Sequence, residues 1–153
     1  MAEAAASGIS AAGSLAGSHV FPVRVYYEDT DAAGIVYHAN YLRFAERART
    51  EMMRLLGIES SKLMQNEGLN FAVARCAVDY LKPARLDDAL EVHTRVLEVG
   101  RASLSAEQLV KRGGALLVRI VLRLAVLDRV GRPVRLPSVI RTTLINLSQS
   151  REK

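Results

Sequence analysis

Apolar residues recur along the chain with two different periods, and the change between them predicts the order of the elements. Between 39 and 56 they recur every three or four positions, as in a helix that buries one face. The apolar set consists of Tyr41, Phe44, Ala45, Ala48, Met52, Leu55 and Leu56. Gly57 follows directly, and glycine commonly ends a helix. We therefore predict one long amphipathic helix over 39–56 and a short helical turn over 59–66.

Elsewhere apolar and polar residues alternate with a period of two, which predicts strands. Further strand-like sequence follows Gly68, and Gly113-Gly114 is a strong turn signal. In the last segment the even-numbered apolar residues from Leu116 to Val126 would share one face of a strand. The clearest strand segments are 20–28, 90–98, 102–111 and 116–126. The chain from Pro137 onward would start a short helix or strand.

The predicted order is a strand, a long helix and then about four strands joined by short turns. Short links between successive strands imply an antiparallel sheet, and one helix laid across it makes an α+β domain. A homodimer would cover the edges of so small a sheet. We expect a flexible tail rich in Ala, Ser and Gly over 1–19, one domain over 20–147 and a polar C-terminal tail over 148–153.

Composition excludes several classes of protein. No apolar run approaches the ~20 residues that span a bilayer. A lone cysteine, Cys76, excludes an intrachain disulfide, and we expect it to be a small buried apolar residue. Three histidines without metal-ligand spacing argue against a metal site. Residues 101–153 hold 11 Lys/Arg and 3 Asp/Glu, but they lack the interleaved aromatics typical of nucleic-acid binding, so we expect no nucleic-acid partner.

The stretch between the first strand and the long helix carries the candidate chemistry. Asp31 lies in a glycine-containing loop just before the helix start near His38. The first N–H groups of a helix lack acceptors and can stabilise an oxyanion, so a carboxylate beside them suits a base or a nucleophile. The same residues would equally serve as a turn acid and a helix-start residue. Spacing alone leaves both interpretations open.

Two segments resemble the YbgC type of acyl-CoA thioesterases, in the hotdog superfamily that includes 4-hydroxybenzoyl-CoA thioesterase. They read VRVYYEDTDAAGIVYHANYLRFAERARTEM at 23–52 and PARLDD at 83–88. The resemblance implies a hotdog fold, in which the antiparallel sheet wraps around one central helix, and a homodimer or dimer of dimers with its active sites at the interface.

The same resemblance implies hydrolysis of an acyl-CoA or acyl-carrier-protein thioester without a cofactor. The family's catalytic aspartate matches Asp31, its oxyanion donor matches the backbone N–H of His38, and further site residues match Tyr27 and the His38 side chain. It also implies a cytoplasmic protein. Some members are linked to the Tol–Pal envelope system and to the inner face of the inner membrane, which leaves peripheral membrane association open.

Several alternatives remain open at this stage. Tyr27 would also suit a strand aromatic packed on the helix, and segment 83–88 a shaped turn rather than a ligand contact. We expect Tyr37 and Tyr41 to be packing residues and Asp29 a loop acid. The arginines available for CoA phosphates are 119, 123, 129, 132 and 135. Competing functions are a hotdog acyl-thioester hydratase or dehydratase and a non-catalytic acyl-CoA-binding or interaction module.

Overall fold

The long predicted helix and the five strands are all present in a computed structural model, which describes residues 17–150. The strands are β1 (His19–Arg24), β2 (Asn70–Tyr80), β3 (Ala89–Val99), β4 (Ser103–Arg112) and β5 (Ala115–Leu127). The helices are α1 (Asn40–Leu55), α2 (Ser60–Glu67) and α3 (Ser138–Gln149). Most of the predicted N-terminal tail, residues 1–16, and the last part of the C-terminal one, residues 151–153, lie outside the described residues.

The five strands form one antiparallel sheet in the order β1-β3-β4-β5-β2. α1 packs on β1 and β3, and its apolar face joins the inner faces of the strands in a single core. Phe44, Ala45 and Ala48 on α1 are buried against this sheet. The predicted α+β class and the hotdog arrangement of a sheet around one helix are therefore confirmed.

α1 begins and ends within one residue of the predicted bounds, because its sequence periodicity matches the face that it buries. Seven of its residues are buried, and Tyr41, Phe44, Ala48 and Met52 recur among them at intervals of three or four. Gly57 then adopts a φ of +83°, a left-handed conformation that favours glycine and turns the chain away from the helix. The predicted turn over 59–66 is also present, as the eight-residue helix α2.

The first strand is shorter at its C-terminal end than predicted. It ends at Arg24, and Tyr27–Asp29 form a 3₁₀ turn. The turn forms because the Asp29 carboxylate accepts a 2.8 Å hydrogen bond from the N–H of Tyr26, while Val25 bonds to Asp87 and Asp88 instead of to β3. At its other end the strand begins at His19, which is buried at 3% exposure.

A β-bulge shifts the predicted alternation at the start of β5. Val110 pairs with Val118 and Lys111 with Leu116, so that Leu117 is the extra residue. Leu117 is therefore fully buried, whereas Leu116 is not. From Val118 to Val126 the even-numbered residues share the buried face, as the alternation predicted.

β2 lies at one edge of the sheet, and this placement makes the prediction for Cys76 wrong. A second bulge, at Ala74, changes the parity of β2. Inner-face residues of β5 therefore pair with Phe71 and Val73 before the bulge and with Cys76 and Tyr80 after it. α1 covers β1 and β3 rather than β2, so these side chains receive little cover from the chain itself. Cys76 is consequently exposed rather than buried.

The C-terminal segment is helical rather than extended. α3 packs against β3 and buries Leu144 and Leu147, and it continues to Gln149, past the start of the predicted polar tail. Among residues 17–150, no helix is long and apolar enough to cross a membrane.

Candidate active site

Asp31 lies in a tight loop between the 3₁₀ turn and α1. The N–H of Asp31 donates to the carbonyl of Ile35, and the N–H of Gly34 donates back to the carbonyl of Asp31, at 2.9 and 3.0 Å. Gly34 has a φ of +81°, which the close return of the chain requires. The Asp31 carboxylate accepts a 2.9 Å bond from the N–H of Ala33 and is otherwise exposed. The loop therefore presents this carboxylate to the surface in a fixed turn.

The start of α1 is fastened to the same loop through the backbone of Asp29. The Asp29 carbonyl accepts hydrogen bonds from the N–H of Tyr37 at 2.9 Å and from the Asn40 side-chain amide at 2.8 Å. Asn40 is buried, so its side-chain amide is held in place and is not a mobile surface group. The two bonds to the Asp29 carbonyl hold the helix start against the Asp31 loop, while the Asp29 carboxylate accepts from the N–H of Tyr26, as expected of a loop acid.

Two consecutive N–H groups at the helix start are free of protein acceptors. The N–H of Asn40 donates to the carbonyl of Tyr37, and that of Leu42 to the carbonyl of Ala39. Within residues 17–150, the N–H groups of His38 and Ala39 donate to no protein atom. Such groups at the positive end of a helix dipole can bind a developing negative charge.

Segment 83–88 supports this loop from the other side and is a shaped turn. The Ala84 carbonyl accepts from the N–H of Val36 at 2.9 Å, and the Ala84 N–H donates to the Tyr41 hydroxyl at 3.0 Å. The Asp88 carboxylate accepts from the N–H of Arg85 at 2.8 Å and from the Arg112 guanidinium at 2.7 Å. These contacts assign the segment a scaffolding role.

Aromatic side chains surround the helix start. Tyr27 is 82% exposed, so the alternative that it packs on the helix as a strand aromatic is wrong. Tyr37 is exposed rather than packed in the core, and its ring lies 4.5 Å from the His38 ring, centroid to centroid. Tyr41 is buried, as expected of a packing residue, and burial raises the pKa of its hydroxyl. Tyr27, Asp31 and His38 are all exposed, Tyr27 in the 3₁₀ turn and the other two between that turn and α1.

Sequence reasoning missed Tyr80, which reaches the site from β2. Its hydroxyl donates a 2.9 Å hydrogen bond to the carbonyl of His38. Its ring lies 6.3 Å from that of His38 and 5.8 Å from that of Tyr41. No local pattern marks this residue, because its position depends on the bulge that sets the parity of the whole strand.

A second missed residue is Gln108, fully buried on β4. Its amide nitrogen donates to the Ala45 carbonyl at 2.8 Å and to the Thr94 hydroxyl at 2.9 Å. Its oxygen accepts from the Arg49 guanidinium at 2.9 Å, and burial lowers the pKa of Arg49. Gln108 shares its phase along β4 with the apolar residues Leu104, Ala106 and Val110, and this phase is the buried one, so its parity in the strand was the available signal.

An open cavity of about 230 Å³ lies between the middle of α1 and β2. Arg49 and Met53 line it from α1, and Phe71 and Val73 from β2. Its wall is therefore apolar on the strand side and carries a half-buried guanidinium on the helix side.

The arginines considered for phosphate contacts have different surroundings. Arg119 pairs with Glu107 at 2.8 Å on the outer face of the sheet. Arg129 donates to the carbonyls of Met64 and Gln65, and so caps the end of α2. Arg123, Arg132 and Arg135 are exposed. Within residues 17–150, no group of three or more His, Cys, Asp or Glu side chains is placed to hold a metal ion.

Comparison with known proteins places this loop and helix in a family. The model of the thioesterase-like superfamily matches residues 25–144. The acyl-CoA thioesterase YbgC of Haemophilus influenzae is 44% identical over 129 residues, which cover 83% of this chain and 94% of that protein.

Solved structures agree with this placement. A probable thioesterase from Bartonella henselae superposes with a TM-score of 0.76 at 36% identity, covering 78% of this chain and 99% of that one. A hypothetical protein from Staphylococcus aureus, solved in complex with CoA, has a TM-score of 0.82 at 15% identity, covering 88% of this chain and 85% of that one, and shows the fold alone. The chain therefore belongs to the thioesterase-like superfamily, with the YbgC enzymes among its relatives, and is a thioester hydrolase.

Proposed function

We propose that this chain hydrolyses acyl-CoA thioesters to a free acid and CoA, with Asp31 as the nucleophile or general base and the backbone N–H of His38 as oxyanion donor. The observation that carries the proposal is the pairing of an exposed, turn-fixed carboxylate with an N–H that donates to no protein atom within residues 17–150. Both groups project from one loop, which the Asp29 carbonyl fastens to the start of α1. The acyl-CoA thioesterase name of the Haemophilus influenzae relative supports the substrate class.

Two routes fit these groups. As a nucleophile, the Asp31 carboxylate adds to the thioester carbonyl, CoA leaves as a thiolate, and water then hydrolyses the acyl anhydride to the acid and regenerated aspartate. As a general base, Asp31 takes a proton from a water that attacks the carbonyl directly; the tetrahedral intermediate then expels CoA as a thiolate, and the protonated Asp31 returns its proton to that thiolate or to water. In both routes negative charge develops on the carbonyl oxygen, where a fixed N–H stabilises the transition state.

The remaining predicted site residues surround the same loop. The Tyr27 hydroxyl is free to contact the thioester or the leaving sulfur, since its side chain is largely exposed. The His38 ring, tilted by 59° against the Tyr37 ring, would flank the acyl group. The cavity beside Met53 and Phe71 offers apolar walls for an acyl chain.

We further propose that the enzyme acts as a homodimer, or as a dimer of dimers, joined at β2. This edge strand has 11 residues without proline, and its Val73, Cys76 and Tyr80 side chains are exposed. The opposite edge, β1, has six residues and carries Pro22, which suits an edge that does not pair. A second copy paired along β2 would complete the sheet and cover these side chains.

The proposal is tested by following CoA release across short, long and aromatic acyl-CoAs for wild type, Asp31→Asn and Glu28→Gln. Glu28 is the matched control, because it is an exposed carboxylate in the adjacent 3₁₀ turn. We expect wild type and Glu28→Gln to release CoA at equal rates, and Asp31→Asn to be at least about 100-fold slower. CoA release is followed with a thiol-reactive dye. Because the dye also labels the exposed Cys76, each trace is corrected with a substrate-free blank.

Other outcomes would contradict the proposal. Full activity of Asp31→Asn would remove Asp31 from the mechanism. Tight binding without CoA release would indicate a binding module, and a changed acyl chain without thiol release would indicate a hydratase or dehydratase. Hydrolysis of acyl-carrier-protein thioesters but not of acyl-CoAs would show that the substrate is a carrier-bound thioester.

A further inference from the structure

The hydrogen bond between Tyr80 and His38 fixes a peptide that the helix itself does not hold. In a regular α-helix the carbonyl of residue 38 would accept from the N–H of residue 42. Here the N–H of Leu42 donates to the Ala39 carbonyl instead, at 3.2 Å. Among the described residues, the His38 carbonyl accepts a hydrogen bond from the Tyr80 hydroxyl alone. The orientation of the peptide between His38 and Ala39 therefore depends on this side chain.

The N–H of that same peptide belongs to Ala39. A trans peptide is planar, and its C=O and N–H point in opposite directions. Fixing the His38 carbonyl on the side of β2 consequently directs the Ala39 N–H away from β2, and within residues 17–150 this N–H donates to no protein atom. A hydrogen bond to a carbonyl also polarises its peptide and strengthens the N–H as a donor.

The preceding peptide is anchored independently. Its carbonyl, that of Tyr37, accepts from the N–H of Asn40 at 2.8 Å, and its N–H is the unpaired one of His38. The two peptides on either side of the His38 α-carbon are thus held at their carbonyls, one by the helix and one by Tyr80. Within residues 17–150, the N–H groups of these two consecutive peptides donate to no protein atom.

We propose that Tyr80 is a positioning residue for thioester hydrolysis: by holding the His38 carbonyl, it makes the N–H of Ala39 a second oxyanion donor beside that of His38. This inference rests on the proposed function, because it concerns the oxyanion donors of the same site. Tyr80 suits the role because its ring makes edge contacts with those of His38 and Tyr41, at centroid distances of 6.3 and 5.8 Å. Desolvation, and the nearby Cys76, raise the pKa of Tyr80, so its hydroxyl stays a proton donor at neutral pH.

The test compares Tyr80→Phe with wild type and with Tyr26→Phe. The control also loses one tyrosine hydroxyl, from a side chain that is 61% exposed and whose hydroxyl donates no hydrogen bond among the described residues. We expect Tyr80→Phe to lower kcat roughly 10-fold or more, since loss of a whole oxyanion donor costs about 100- to 1000-fold. KM should stay within about twofold, because the donors act mainly on the transition state.

A spectroscopic readout separates positioning from a merely structural role. An acyl-CoA analogue with CH₂ in place of sulfur and a ¹³C-labelled carbonyl binds without turnover, and hydrogen bonds lower the stretching frequency of that carbonyl. We expect the frequency to be higher in the Tyr80→Phe complex than in the wild-type and Tyr26→Phe complexes, while the three melting temperatures agree.

Two results would overturn the inference: an unchanged carbonyl frequency or an unchanged kcat. A raised KM beside the unchanged kcat would indicate that Tyr80 contacts the substrate directly. Asp31→Asn, assayed in parallel, keeps this failure apart from that of the proposed function. If Asp31→Asn is inactive and Tyr80→Phe is fully active, the positioning role of Tyr80 is contradicted and the proposed function stands. A fully active Asp31→Asn removes the proposed site itself.

Discussion

The N–H of Ala84 donates a 3.0 Å hydrogen bond to the hydroxyl of Tyr41, and both residues are buried. The same alanine accepts from the N–H of Val36 through its carbonyl. One residue of the turn over 83–88 is therefore bonded both to the long helix and to the end of the Asp31 loop. Ala84 therefore helps to fix the distance between the Asp31 loop and α1, which together carry the site.

Tyr41→Phe is expected to destabilise the fold by about 1–3 kcal/mol, because it leaves the buried Ala84 N–H without an acceptor. Urea unfolding of wild type and Tyr41→Phe measures this difference. Tyr26→Phe, which removes an exposed hydroxyl, should unfold with wild type. Equal stability of Tyr41→Phe and wild type would show that the hydrogen bond contributes nothing to the scaffold.

The buried His19 side chain should make stability depend on pH. Desolvation lowers the pKa of His19 below its usual 6.5, although the Glu51 carboxylate acts in the opposite direction. The unfolded chain then takes up a proton at a pH where the folded chain does not. The contribution of neutral His19 to the free energy of unfolding is fully present above about pH 6.5, and it declines as the pH falls towards the pKa of His19 in the folded chain.

This dependence is measured as the change in urea midpoint between pH 7.5 and 5.5. We expect the decrease to be smaller in His19→Leu than in wild type, because the variant lacks the titrating group. His93→Leu is the matched control, since His93 lies on the outer face of β3 beside Glu91, at 3.1 Å. A decrease in His19→Leu equal to that of wild type would mean that other groups cause the acid sensitivity.

Assembly through β2 should be sensitive to charge on that strand. The double variant Val73→Lys, Cys76→Lys places two ammonium groups on side chains that are exposed in the single chain, and charged edges resist strand pairing. Sedimentation at micromolar concentration should show a wild-type dimer or tetramer and a monomeric double variant. Val130→Lys, on an exposed residue of a turn outside β2, should assemble as wild type does. A monomeric wild type would contradict the shared-site arrangement.

The helix and the strands were predictable because each element has a local period that matches its burial. α1 deviates from its predicted bounds by one residue at each end, and the buried phases of β3 and β5 follow the alternation of the sequence apart from the bulges at Leu97 and Leu117. The shortened β1 was not predictable, since Val25 leaves β3 only because the distant turn at Asp87 and Asp88 takes its hydrogen bonds.

The candidate site was predictable only in part, because several of its contacts join residues far apart in sequence. Asp31 and the helix start are neighbours along the chain, and their motif is local. Tyr80, by contrast, meets His38 across 42 positions, in a register set by a bulge. Cys76 was mispredicted for the same reason, since nothing in its local sequence shows that β2 lies at the sheet edge.

The central claim is that Asp31 carries out the chemistry rather than binding or folding, and single-turnover hydrolysis tests this most directly. Each enzyme, wild type or Asp31→Asn, is mixed separately with a smaller amount of one acyl-CoA. A titration beforehand shows that each enzyme binds CoA. We predict equal CoA affinity and a single-turnover rate for Asp31→Asn that is at least about 100-fold lower. A rate within twofold of wild type at equal affinity would contradict the account and place the catalytic group elsewhere.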